Sequence, residues 1–140
     1  MKFADVNVLI YAVNASAPQH DAAHRALAQA YAQGPVGFAW VAVLGFLRLT
    51  TRTGILPQPL PVEGALDIVH RWLDHPAAVI LHPTARHAAV LGRLLIGAGQ
   101  GGGLVSDAHF AALAIEHDAE LLTFDGDFAR FAGLRWSKPV

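Results

Sequence analysis

Three aspartates stand where short apolar segments end or helical runs begin. Asp5 follows Lys2-Phe3-Ala4, Asp107 opens an alanine-rich helical stretch, and Asp125 lies just past Glu120-Leu121-Leu122-Thr123. If the two apolar segments are strands of one parallel sheet, Asp5 and Asp125 meet at its carboxyl edge, where open α/β sheets bind ligands. Asp107 reaches that edge from the first turn of its helix. Carboxylates gathered in one place repel each other unless a cation sits between them. Hard oxygen donors without histidine or thiolate suit Mg²⁺ or Mn²⁺. Each aspartate also has a plainer explanation: Asp5 as a helix N-cap, Asp107 as an acid favoured by the helix dipole, and Asp125-Gly126-Asp127 as a turn. Capping gives no reason for all three to fall at one edge.

The elements that must position them follow from pattern. Lys2–Asp5, Val36–Ala39, Ala78–Leu81 and Glu120–Thr123 read as strands, with a last short strand near Leu134–Ser137. Helical patterns cover Asn7–Asn14, Gln19–Gln33, Val41–Thr51 (starting as early as Trp40), Val62–Asp74, Thr84–Ile96 and a strongly periodic Leu104–His117. Thr84 is the expected N-cap of its helix, and Leu66, Val69 and Leu73 form the expected apolar face of theirs. Gly54–Pro61, with three prolines, is a loop. Gly97–Gly103 is a flexible glycine segment, and Asp125–Phe131 a turn or short helix. Alternation of short, continuously apolar strands with helices predicts an α/β domain. Its central parallel sheet has four or five strands flanked by helices.

Composition bounds the function. The 140 residues are 54% hydrophobic and 15% charged, which suits one domain over residues 1–140 with a real core. The absence of cysteine excludes disulfides, thiolate metal sites and a cysteine nucleophile. It fits a reducing cytoplasm, the expected location. Asp5 interrupts the N-terminal apolar run, so no signal peptide is read there, and no stretch is apolar for long enough to predict a membrane span. The net charge of −1 provides no basic stripe for duplex DNA. Nucleic acid would be held by a few local cations, by a metal or by a partner's surface.

Other patterns carry less. His20-Asp21-Ala22-Ala23-His24 mimics a zinc-protease motif, but aspartate replaces the catalytic glutamate and no third ligand is indicated. Gly97-Ala98-Gly99-Gln100-Gly101-Gly102 matches a dinucleotide fingerprint but follows a helix rather than a strand. His75, His82 and His87 fit no ligand spacing. Trp40, Trp72 and Trp136 read as core or interface, since no basic residues interleave with them as in a base-stacking platform.

The ordered set of acidic segments resembles the PIN-domain family, and more narrowly its VapC-type toxins. Phe3-Ala4-Asp5-Val6-Asn7-Val8-Leu9-Ile10-Tyr11 is similar to the family's first acidic motif. Leu104-Val105-Ser106-Asp107-Ala108-His109-Phe110-Ala111-Ala112-Leu113-Ala114 is similar to its third, and Glu120-Leu121-Leu122-Thr123-Phe124-Asp125-Gly126-Asp127-Phe128 to its fourth. The resemblance spans nearly the whole chain. It implies a PIN-like fold and a Mg²⁺-dependent endoribonuclease, the toxin of a type II toxin–antitoxin pair, with Mn²⁺ a possible substitute. It also implies an RNA substrate, a cognate antitoxin and a homodimer. Carried over by position, Asp5, Asp107 and Asp125 hold the metal and Asp127 is an alternative to Asp125. Asn7, Ser106 and Thr123 orient carboxylates or water, or merely cap local backbone. One departure is plain. The family places a glutamate early in the helix after the second strand, where this chain has Gly45. Arg48 and Arg52 follow it and are candidates for RNA phosphate.

Two other functions compete. A PIN-like module weakened by Gly45 would still dock an antitoxin. An acidic-site nuclease or phosphatase would act on DNA or small phosphoesters. A structural dimerisation protein has no support beyond apolar surface that a sequence does not locate.

Overall fold

Residues 1–140 are all described by a computed structural model. Five short strands pair in parallel in the order β3-β2-β1-β4-β5. They are β1 (Lys2–Ala4), β2 (Val36–Phe38), β3 (Ala78–Ile80), β4 (Glu120–Leu122) and β5 (Trp136–Ser137). The order reverses direction at β1, so the crevice between the carboxyl ends of β1 and β4 is the sheet's switch point. Ala4 pairs with Leu122, which sets the residues that follow, Asp5 and Thr123, side by side.

Six helices cover the sheet: α1 (Val6–Val13), α2 (His20–Gln33), α3 (Trp40–Thr50), α4 (Val62–Leu73), α5 (His87–Ala98) and α6 (Leu104–Glu116). Side chains alternate faces along a strand, and registered partners share one. Phe3 is registered with Gly37 and stacks on Phe110 of α6. Phe38, one residue on from Gly37, turns the other way toward Tyr31 of α2 and Trp72 of α4. Both faces are thus covered, and Phe3, Phe38, Val36 and Leu121 are fully buried, as continuously apolar strands of a parallel sheet require. Gly37 is needed for closeness: a Cβ there would lie 2.8 Å from Leu81 Cδ1.

The elements follow the sequence reading with physical corrections at three boundaries and two buried faces. β1 ends at Ala4 and α1 begins at Val6, because Asp5 keeps its N–H on the Leu122 carbonyl of β4 while its own carbonyl and side chain turn to cap the helix. α5 begins at His87 with Arg86 in the cap position; the Thr84 hydroxyl accepts the Arg86 N–H in the turn before it. α5 also runs through Gly97 to Ala98, where Gly99 at φ 73° closes it. α4 buries Ala65 and Val69 rather than Leu66, which is exposed, because Trp72 takes the space between Phe38 and Phe46. The expected single stripe of α6 is absent as well: it is buried continuously from Phe110 to Ala114, since small alanines let sheet and α5 approach from several sides.

Candidate active site

The centre of the carboxyl edge is Asp5, only 5% exposed. Its Oδ1 accepts the Val6 N–H at 2.7 Å, which caps α1. Its Oδ2 accepts the Asn7 amide at 2.9 Å and the Thr123 hydroxyl at 2.7 Å. Thr123, fully buried, lies at the end of β4, so this bond ties the adjacent carboxyl ends of β1 and β4. The Thr123 oxygen in turn accepts the Asn7 amide and the Asp125 N–H, and Asn7 Oδ1 accepts the Phe124 N–H. A carboxylate offers about four acceptor positions. Three on Asp5 are occupied by the protein, leaving one on Oδ1.

Asp107 stands in the first turn of α6, half-buried. Asp125 is half-buried too, with Oδ1 accepting the Asp127 N–H at 2.9 Å at the head of a 3₁₀ turn, Gly126–Arg130. Burial is the largest influence on Asp5 and raises its pKa against the hydrogen bonds from Thr123 and Val6; the charges of Asp107 and Asp125 push the same way. Burial also leads at Asp107, whose pKa is raised further by Asp125 and Asp127 and held back by Arg130. The charges of Asp107 and Asp125 thus act on Asp5, and those of Asp125 and Asp127 on Asp107.

Capping explains part of the geometry, since Asp5 and Asp125 do cap a helix and a turn. It does not explain a buried carboxylate tied to the neighbouring strand and repelled by two others. Asp127 points outward, with its side chain 71% exposed, toward Arg130 at 3.8 Å. Ser106 is exposed and takes no part in the hydrogen bonds that tie the cluster, because its place on α6 turns it to solvent. No three histidine or acidic side chains converge closely enough to form a ready-made metal cage. The same holds for His20 and His24, whose rings lie 5.9 Å apart at the head of α2.

Gly45 is buried on α3, where a Cβ would lie 3.2 Å from Val6 Cγ2. The first residue of α1 thus occupies the room beside it. α3 starts at the carboxyl edge after β2 and runs away from it. Arg48 is therefore about two turns down the helix, and Arg52 lies beyond its end. Both are exposed, and neither is among the charges that act on Asp5 or Asp107. The cation that does act there is Arg130, which the sequence reading missed. Its signal was its position three residues after Asp127, one 3₁₀ turn on.

The PIN domain family profile matches residues 2–134. Ribonuclease VapC37 of Mycobacterium tuberculosis is 49% identical over 140 residues, covering 99% of this chain and 97% of that protein. Ribonuclease VapC33 of the same species is 39% identical over 142 residues, covering 100% and 99%. Among solved structures, VapBC2 from Rickettsia felis bound to a promoter DNA fragment aligns with a TM-score of 0.71 at 17% identity, over 98% of this chain and 97% of that one. M. tuberculosis VapC20, a toxin that cleaves the sarcin–ricin loop, aligns with a TM-score of 0.71 at 19% identity, over 96% of each chain. With the profile spanning almost the whole length and relatives this similar from end to end, the chain belongs to the PIN-domain family and, within it, to the VapC-type ribonuclease toxins.

Proposed function

We propose that this chain is a Mg²⁺-dependent endoribonuclease, the toxin of a type II pair, cutting RNA at the aspartate cluster. The observation that carries the reading is Asp5: a buried carboxylate, locked by Thr123 and Asn7 across two strand ends and repelled by Asp107 and Asp125. The donor set fits a hard divalent ion, because all its ligands are carboxylate oxygens and their mutual repulsion is relieved by positive charge. Asp5, through its remaining Oδ1 position, Asp107 and Asp125 would hold it; Asp127 is the less suited alternative, being turned to solvent. When bound, Mg²⁺ supplies Lewis-acid polarisation of a phosphodiester and lowers the pKa of a water. Thr123 and Asn7 fix the Asp5 rotamer, and the Asp127 N–H orients Asp125.

The test is cleavage of single-stranded RNA with Mg²⁺ and with EDTA, for the native chain and Asp5→Ala. Cleavage needs the metal and is lost in the variant; activity that persists in EDTA or without Asp5 sinks the mechanism. DNA and nitrophenyl phosphate, run in parallel, are expected to stay intact.

The antitoxin partner is supported by the fold shared with the R. felis VapBC2 complex. No helix is long and apolar enough to cross a membrane. A second reading, a module that docks its partner without catalysis, is favoured by Gly45 and the lack of a ready-made cage. Metal titration separates the two: the catalytic reading requires a Mg²⁺-dependent rise in melting temperature that Asp107→Asn abolishes.

A further inference from the structure

We propose that Arg93 and Arg130 form a phosphate-binding subsite for the RNA backbone beside the aspartate cluster. The proposal rests on the ribonuclease reading and adds where the substrate strand is gripped. α5 and α6 pack side by side as a hairpin, so the C-terminal half of α5 returns to the edge where α6 begins with Asp107. Arg93 projects from that half. The 3₁₀ turn after β4 brings Arg130 to the same place. The two arginines line one cleft of 150 Å³ with Leu94, Gly97 and Ala132.

Three features suit this cleft to a phosphate. No carboxylate lines it, although both its charged residues are cations. Two guanidinium groups lining one small cleft repel each other, and an anion bound there lowers that cost. Neither arginine is saturated by the protein. Arg93 takes part in none of the chain's ion pairs, and Arg130 reaches Asp127 Oδ2 only at 3.8 Å while its Nε donates to the Asp127 carbonyl at 3.1 Å. Gly97 and Ala132 add almost no side-chain bulk, so an anion can reach the guanidinium planes. These planes suit phosphate oxygens bidentately.

Position supplies the functional link. Arg130 is held by its Nε bond to the Asp127 carbonyl in the turn that Asp125 caps, and Arg93 comes from the half of α5 that leads back to the start of α6, so the cleft lies at the edge that carries Asp107 and Asp125. A chain of net charge −1 with an acidic centre repels RNA. Phosphates flanking the cut must therefore be neutralised locally, and such contacts fix register rather than base identity. The arginines on and after α3 lie away from this edge.

The experiment is anisotropy of a fluorescein-labelled single-stranded RNA in EDTA at several salt concentrations, with cleavage kinetics in Mg²⁺. It compares the native chain with Arg93→Ala, Arg130→Ala, the double variant and Arg48→Ala, each checked for an unchanged melting curve. Removing one cation that neutralises a phosphate lowers the slope of log K against log salt by about 0.7. Each alanine at 93 or 130 is therefore expected to do so, weakening binding roughly tenfold and raising KM more than it lowers kcat. Arg93→Lys, which keeps the charge but not the fork, is expected to keep the slope and recover part of the affinity. Unchanged slope and KM in the double variant of a chain that cleaves RNA overturn the subsite and leave the ribonuclease reading standing. A reduced slope with Arg48→Ala instead also overturns it. A native chain that neither binds nor cuts RNA overturns both.

Discussion

Asp107 illustrates the conflict between stability and function at a single residue. Its pKa is raised above the ordinary carboxylate value by burial and by Asp125. A carboxyl raised in the folded state stabilises below its unfolded pKa, and that contribution is lost as pH rises through the folded value. At neutral pH in EDTA the ionised group is a liability. Asp107→Asn is expected to raise the melting temperature by a few degrees at pH 7 while abolishing cleavage, with the advantage gone near pH 3; thermal unfolding across that range checks it. Thr123 does the opposite work. Thr123→Val keeps the shape but leaves Asp5 and the Asp125 N–H each short of a partner, so a loss of roughly 1–3 kcal/mol and a drop of about 10–100-fold in activity or metal affinity are expected. At Gly45 the contact with Val6 decides the outcome. Gly45→Glu should cost about 1–3 kcal/mol by overpacking instead of simply completing the acidic set, measured by urea unfolding.

Among the elements, the α5–α6 hairpin has a polar lock of its own. Glu116, buried near the end of α6, accepts the Thr84 N–H at 3.0 Å, the Thr84 hydroxyl and His87 Nδ1, while His87 Nε2 meets His109 Nδ1 at 2.9 Å. Burial pushes the Glu116 pKa up, but the bonds from Thr84 and His87 win and hold it below its ordinary value. Burial and His87 lower the pKa of His109. Both shifts have one sign: stability is present above the unfolded pKa of each group and is lost as pH falls through the folded value, His109 below 6.5 and Glu116 below 4.5. Glu116→Gln is expected to destabilise the chain by about 1–3 kcal/mol at pH 7 and to flatten the acid limb of its stability curve. Because the hairpin carries Asp107 and Arg93 to the sheet edge, activity should decline with it.

For the molecule as a whole, the apolar surface lies unevenly. Trp40 is 48% exposed and Leu44 58%, one turn apart on α3, with Val41 beside them. Such a face on a chain this small suits an interface, in keeping with the homodimer expected of the family. Sedimentation of the isolated chain is expected to give a dimer, and Leu44→Glu a monomer of unchanged fold. A monomeric native chain would remove this role for the α3 face.

The sequence by itself determined the strand–helix alternation, the parallel sheet and the place of each aspartate at an element boundary, because these depend on local periodicity and on motif order. It also exposed the missing glutamate at Gly45. It placed Asp125 ahead of Asp127 without separating their surroundings, since both sit in one turn; in the tertiary structure Asp125 is half-buried, while the Asp127 side chain is 71% exposed beside Arg130. Sequence proximity to Gly45 pointed to Arg48 and Arg52 as the phosphate contacts. The course of α3 carried both away, while the α5–α6 hairpin and the 3₁₀ turn brought Arg93 and Arg130, 37 positions apart in the chain, into one cleft. Residue types and local pattern name the groups capable of chemistry. Which of them share a dielectric, a repulsion or a cleft depends on strand register and helix direction, and those are long-range contacts that no local pattern encodes.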